Sequence, residues 1–134
     1  MDESKNVCVF AEVDDGHVAE VSLELLNKAR DLAGKLGGQV GAFLLGQGVE
    51  PLAQTLFEHG ADTVYLAEND SLAKYTTLPF SDVLSRQMQE VEPAVVLFGA
   101  TNTGRDLAPR VASTLKVGLT ADCTDLQIGP HKDV

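Results

Sequence analysis

The stretch Val95-Val96-Leu97-Phe98-Gly99-Ala100-Thr101-Asn102-Thr103-Gly104-Arg105-Asp106-Leu107-Ala108-Pro109-Arg110-Val111-Ala112 decides the reading of this chain. It opens with an apolar run of strand length and turns on two glycines. It then re-emerges in a helical pattern, with Leu107, Val111 and Leu115 recurring every four residues and Ala108 and Ala112 beside them. A strand, a glycine turn and a helix in that order make half of a βαβ unit. In open α/β sheets, ligands and partners gather at such turns, outside the carboxyl ends of the strands. Residues 99–106 are therefore expected on the working edge. Pro109 falls within the helical pattern, so either the helix proper starts near Arg105, leaving the proline in or near its first turn, or the helix kinks there.

Outward from that unit the pattern repeats. Val7-Cys8-Val9-Phe10-Ala11 is apolar on both faces and reads as a central strand of a covered sheet. Asp14-Asp15-Gly16 is a turn signal. A helix is expected to begin between Ala19 and Ser22 and to stop at Gly37-Gly38, with Val21, Leu25, Ala29, Leu32 and Leu36 inward and Glu24, Lys28 and Lys35 outside that face. Val40-Gly41-Ala42-Phe43-Leu44-Leu45 is the second strand. Pro51 opens a short helix closed by Gly60, and Thr63-Val64-Tyr65-Leu66 is the third strand. Pro79 begins a third helix with Phe80, Val83, Leu84, Met88 and Val91 inward, ending at Pro93. After the Val95 strand and its helix, residues 118–128 read as one last strand with a bulge or bend near Thr124, because the apolar alternation shifts phase there. The order β-α-β-α-β-α-β-α-β predicts a parallel sheet with helices on both faces.

Composition narrows the function. A chain of 134 residues suits one domain, and no apolar run approaches the length of a membrane span. No targeting segment is visible at the amino end, and a cytoplasmic location is expected. The net charge of −10 argues against nucleic acid, whose phosphates would be repelled. The acidity is lopsided: residues 1–73 carry 4 Lys and Arg against 13 Asp and Glu, whereas residues 74–134 carry 6 against 7. A solvated acidic face accounts for the first half. Cys8 and Cys123 form no CxxC pair and are expected as buried free thiols. His17, His59 and His131 lack metal-ligand spacing, so no metal is expected.

The turn itself has the glycine spacing of a phosphate-binding P-loop, but Arg105 and Asp106 stand where that loop needs Lys and Ser or Thr. Asp106 would place negative charge where phosphate should sit, which excludes an ATPase reading. A weaker anion site at the helix start survives, with Gly99, Thr101, Asn102, Thr103, Gly104 and Arg105 as its candidates. Read blandly, the glycines let a strand turn sharply into a helix, Thr103 caps it, Arg105 and Asp106 pair on the surface, and Arg110 is a solvated charge. Thr120, Asp122 and Thr124 would then be the exposed face of an edge strand. No nucleophile, acid or base constellation argues for catalysis.

Residues 98–112, followed by Gly118-Leu119-Thr120-Ala121-Asp122-Cys123-Thr124-Asp125-Leu126, resemble the N-terminal domain of the electron transfer flavoprotein alpha subunit. Ala11-Glu12 at the end of the first strand, the helix over residues 23–38 and residues 75–93 fit the same family, so the resemblance covers essentially the whole chain. It implies a three-layer α/β/α, Rossmann-like fold with a mostly parallel sheet, of the adenine-nucleotide-hydrolase kind. It also implies that residues 1–134 are a single N-terminal domain without the C-terminal FAD-binding domain. Such a subunit pairs with a beta subunit and carries electrons from dehydrogenases to an acceptor through FAD. The FAD is not expected on residues 1–134, which would serve as a platform without catalytic residues. Arg105, Asp106, Arg110, Thr120, Asp122 and Thr124 are the residues expected to face the partner subunit or the flavin domain, and an unpaired platform surface would favour self-association. The competing reading is a small adenine-nucleotide-binding domain of the universal-stress-protein kind, holding its ligand at the turn from Gly99 to Gly104.

Overall fold

The computed structural model describes residues 5–121 and 125–129. Cys123, Asp122, Thr124 and His131 lie outside the described residues.

β1 (Val7–Ala11) is buried along its whole length. It lies at the centre of the sheet because it is flanked by β4 (Val40–Gly46) on one side and β6 (Val95–Gly99) on the other, both parallel to it. β5 (Thr63–Glu68) pairs in parallel outside β4. On the other side β8 (Asp125–Gly129) pairs antiparallel with β6, and β7 (Gly118–Ala121) pairs antiparallel with β8. The full order is β5-β4-β1-β6-β8-β7. Strand alternation divides the core into two halves. Val7, Val9, Ala11, Ala42, Leu44 and Leu97 pack under α1 (Glu20–Leu36) and α2 (Ala53–Glu58). Cys8, Phe10, Phe43, Leu45, Val96 and Phe98 pack under α3 (Thr77–Val91) and α4 (Asn102–Leu115). This is the three-layer α/β/α, Rossmann-like arrangement with a mostly parallel sheet. Burial in the second half pushes the Cys8 thiol up to about 12, as expected of an inert structural cysteine.

Three local expectations need correction, and the turn expected at residues 14–16 is present within a hairpin. The last segment is two strands, not one: β7 and β8 pair with each other, Gly118 opposite Gly129 and Ala121 opposite Leu126. Its phase shift marks a chain reversal, and the position expected to bend lies outside the described residues. The turn at Asp15-Gly16 belongs to a small hairpin of β2 (Val13–Asp14) and β3 (His17–Val18). Both turn residues have positive φ, 51° and 78°, the geometry that suits the right-handed twist of a two-residue hairpin. The buried stripe of α1 is Ser22, Leu25, Leu26, Ala29 and Ala33, while Leu36 is exposed. Leu25 and Ala29 hold from the expected face and Leu32 packs half-buried against the core, but the stripe turns toward Ser22, Leu26 and Ala33. Finally, α4 starts at Asn102, capped by Thr101 rather than Thr103. Pro109 therefore sits in the helix interior and cannot donate a hydrogen bond to the carbonyl of Arg105, one turn back on a solvent-exposed residue.

Candidate functional site at the carboxyl edge of the sheet

The chain leaves β1 toward β4 and β5, then returns on the opposite side of β1 as β6. The crevice where that direction reverses lies beyond the carboxyl ends of β1 and β6, the usual ligand position in such sheets. Glu12 follows β1 there, and Gly99 ends β6 with Ala100 and Thr101 after it. The Thr101 hydroxyl donates to Glu12 Oε2 at 2.7 Å and accepts from the Gly104 N–H at 3.0 Å. The Glu12 N–H donates to Ser22 Oγ at 2.8 Å, and its carbonyl accepts from Ala19 at 2.8 Å. Backbone and side chain of Glu12 are thus both fixed.

Close approach requires the glycine at Gly104 and leaves little room at Gly99. A Cβ on Gly104 would lie 1.9 Å from the Gly99 carbonyl oxygen, and one on Gly99 would lie 3.1 Å from Glu12 Oε2. The carboxylate therefore lies in the crevice, hydrogen-bonded to the residue that caps α4. The anion that a helix start would attract is supplied by the chain itself. Burial pushes the Glu12 carboxyl up, with the Thr101 hydrogen bond opposing and the Asp14 charge adding to the shift.

That shift has a measurable consequence. The folded state holds the Glu12 proton more tightly than the unfolded chain, so ionisation opposes folding. This contribution to stability is present below the ordinary value of 4.5 and is lost as pH rises from there through the raised folded value. In Glu12→Gln the titration is gone. The stability of the natural chain relative to that variant is expected to fall from acid toward neutral pH, then level off. Urea unfolding of both proteins across that range measures it, and a difference that grows in the natural chain's favour with rising pH would contradict the assignment.

A cleft of about 500 Å³ opens beside the crevice, between the loop after β4 and the segment preceding α3. Its walls include Phe10, Leu45, Val49, Leu72 and Tyr75, and Thr103 reaches its rim. Glu12 and Asp15 line it, with no Lys, Arg or His among the lining residues. Phosphate would meet carboxylates here and no cation, so the adenine-nucleotide reading is not favoured.

Asp106 does not pair with Arg105. It accepts hydrogen bonds from the Tyr75 hydroxyl at 2.6 Å and the Thr77 hydroxyl at 2.5 Å, tying the entry of α3 to the first turns of α4. Those two hydroxyls, Thr77 first, hold the Asp106 carboxyl below its usual range. Burial, and then the Asp106 bond, push the Tyr75 phenol up to about 12.

The structure thus gathers Gly99, Thr101 and Gly104 at the crevice, while Asn102, Arg105 and Arg110 are exposed on α4. Thr120 lies in β7, an edge strand two places from β6. Asp125, within the segment expected to face a partner, is instead buried and paired with Lys28. The sequence reading assigned no role to Glu12, Tyr75 or Thr77. For Glu12 the signal was there: an acid placed directly after a fully apolar strand. Among the described residues no His, Cys, Asp and Glu cluster could hold a metal ion, and no helix is long and apolar enough to cross a membrane.

Residues 7–134 match the family model described as the electron transfer flavoprotein domain. The chain belongs to the electron transfer flavoprotein family. It is 48% identical over 128 residues to the electron transfer flavoprotein subunit alpha of Thermoanaerobacterium thermosaccharolyticum, covering 96% of this chain and 39% of that one. It is 48% identical over 130 residues to the subunit of the same name from Megasphaera elsdenii, covering 97% and 38%. It is also 42% identical over 130 residues to the acryloyl-CoA reductase electron transfer subunit beta of Anaerotignum propionicum, covering 97% and 35%. The chain spans less than two fifths of the length of these relatives. The resemblance that the sequence carries at residues 98–112 and 118–126 is therefore upheld.

Proposed function

We propose that this electron transfer flavoprotein chain is the N-terminal platform and assembly domain of an alpha subunit, spanning residues 1–134. In this reading it works in a heterodimer with a beta subunit, moving electrons from dehydrogenases to an acceptor through FAD held outside these residues. It carries no catalytic residues and works in the cytoplasm. The observation that supports this best is the self-filled crevice. At the edge of the sheet where this fold would take a nucleotide, Glu12 is bonded to the Thr101 cap of α4 and lines the cleft beside it, which supports a scaffold that does not use that edge for phosphate. The names of its relatives, electron transfer flavoprotein subunits, fit a flavin in the whole assembly.

Contacts to the beta subunit or the flavin domain fall, in this reading, on Arg105 and Arg110, with Thr120, Asp122 and Thr124 as further candidates. Both arginines are exposed on α4, and a guanidinium can bond carboxylates or carbonyls in a fork. Asp106 contributes by holding α4 against the segment before α3 and not by direct contact. Arg105→Glu with Arg110→Glu is expected to lower affinity for the beta subunit at least about tenfold while leaving the melting temperature unchanged. Undiminished copurification of the two subunits would sink this interface. Heat denaturation of the purified chain is expected to release neither nucleotide nor flavin. Stoichiometric release of either would overturn the platform reading.

A further inference from the structure

β5 is an edge strand without the devices that usually protect one. Among the described residues it pairs with β4 alone. The pairing runs one to one from Thr63 opposite Gly41 to Glu68 opposite Gly46, so no bulge twists this edge away. The strand holds no Pro, Lys or Arg. Its single charge, Glu68, is turned back on the chain: Oε2 accepts the N–H groups of Val49 at 2.8 Å and Glu50 at 3.0 Å. The rest, Thr63-Val64-Tyr65-Leu66-Ala67, is rich in the β-branched and aromatic residues that favour strands, and Leu66 is 38% exposed. Natural sheets blunt exposed edges with charge, proline or bulges, and an edge that lacks all three is a template for another strand.

The backbone sets what can pair there. The Asp62 N–H donates to the Val40 carbonyl at 2.8 Å. Bonding alternates along a ladder, so residues 64 and 66 also face β4, while 63, 65 and 67 turn their N–H and C=O groups outward. A row of outward groups selects an extended strand. The side chains select a second copy of β5, because the strand is its own complement. With a twofold axis at Tyr65, antiparallel copies align all three outward residues: Tyr65 opposite Tyr65, and Thr63 opposite Ala67 of the second copy. Val64 then falls opposite Leu66 of the second copy, on the face that α2 covers, and shields the exposed leucine. No charge is enclosed between the copies, since Asp62 and Glu68 meet only at the two ends. α4 packs on β6, β7 and β8, on the far side of β1 from β5, so this edge is separate from the arginine pair assigned to the beta subunit.

We propose that two copies of this chain pair through β5, antiparallel about Tyr65, into one continuous sheet. The proposal goes beyond the platform reading and does not rest on it.

Light scattering across a concentration series tests it. The natural chain is expected to pass from monomer to dimer, and to do so more readily in high salt, which screens the net charge of −10 on each copy and the acidic ends of the paired strands. Leu66→Lys places a charge at the exposed edge and is expected to raise the dissociation constant at least about tenfold, with folding confirmed by thermal melting. The register is read by cross-linking in a Cys123→Ser background, where Cys8 is buried. Val64→Cys and Leu66→Cys are oxidised separately and as a mixture. Opposed Cα atoms of an antiparallel pair lie about 4.5–5.5 Å apart, within reach of a disulfide. A disulfide-linked dimer is expected from the mixture and not from either variant alone. A natural chain that stays monomeric at every concentration, in low and high salt, overturns the proposal. A dimer that ignores Leu66→Lys overturns β5 as its surface. Cross-linking of either variant alone, with no gain on mixing, overturns the twofold at Tyr65. Each of these failures leaves the platform reading standing.

Discussion

Gly104→Ala is expected to destabilise the fold by about 3 kcal/mol, near the upper end for overpacking a tight contact. The added Cβ would stand 1.9 Å from the Gly99 carbonyl oxygen, and that atom belongs to backbone, not to a side chain that could swing aside. Gly99 ends β6 and is held opposite Asp125 of β8. Relief therefore requires α4 to lift from the sheet. Lifting it breaks the cap from Thr101 to Gly104 and loosens Thr101 from Glu12, so the whole crevice opens together. The same substitution at Gly34 is the control. Gly34 lies inside α1 with nothing within 4 Å of its would-be Cβ. Gly34→Ala is expected to stabilise by about 0.5–1 kcal/mol, because alanine loses less backbone entropy in a helix than glycine does. Urea unfolding of the two variants should give shifts of opposite sign. Stability of Gly104→Ala within about 1 kcal/mol of the natural chain would mean that α4 does not pack on Gly99 in this way.

Much of this is legible in the sequence. The uninterrupted apolarity of residues 7–11 marked a strand covered on both faces, and β1 is the strand with parallel neighbours on each side. The Gly37 stop is a left-handed cap, with φ of 81° and an N–H returning to Ala33. What stayed hidden was interaction between distant positions. Apolar alternation has the same period in two paired strands as in one bent strand, so β7 and β8 could not be told apart by period. Thr101 and Thr103 are equally good caps by chemistry. The choice fell to Thr101 because Glu12, 89 positions earlier, accepts its hydroxyl hydrogen. Asp106 looked like the partner of its neighbour Arg105, yet residues one apart on a helix point in different directions. Its real partners, Tyr75 and Thr77, come from the segment that enters α3.

Lys28 shows the same limit most sharply and carries the other large effect. By its period Lys28 belongs to the outer face of α1, but its ammonium reaches the carboxylate of Asp125 in β8, across 97 positions of chain. The two ends differ in surroundings: the Lys28 side chain is 39% exposed and that of Asp125 only 3%. Removing either partner is therefore not equivalent. Lys28→Met leaves a buried carboxylate with no counter-charge and is expected to cost about 2–3 kcal/mol, reduced from the fully buried case because water can follow where the lysine stood. Asp125→Asn leaves an ammonium that can turn to solvent and a neutral amide in its place, and is expected to cost about 1 kcal/mol. The double variant should be no worse than Asp125→Asn alone, since the methionine then has no orphaned charge beneath it. Denaturant midpoints of the four proteins measure the cycle. Asp125→Asn costing more than Lys28→Met would show that Asp125 is held by something other than this ion pair. Because Asp125 stands opposite Gly99, the pair also fixes β8 behind the crevice turn. In Lys28→Met the Glu12–Thr101 contact should therefore loosen along with the sheet edge. A weakened pH dependence of stability, against the same Glu12→Gln comparison made in that background, would be the sign of it.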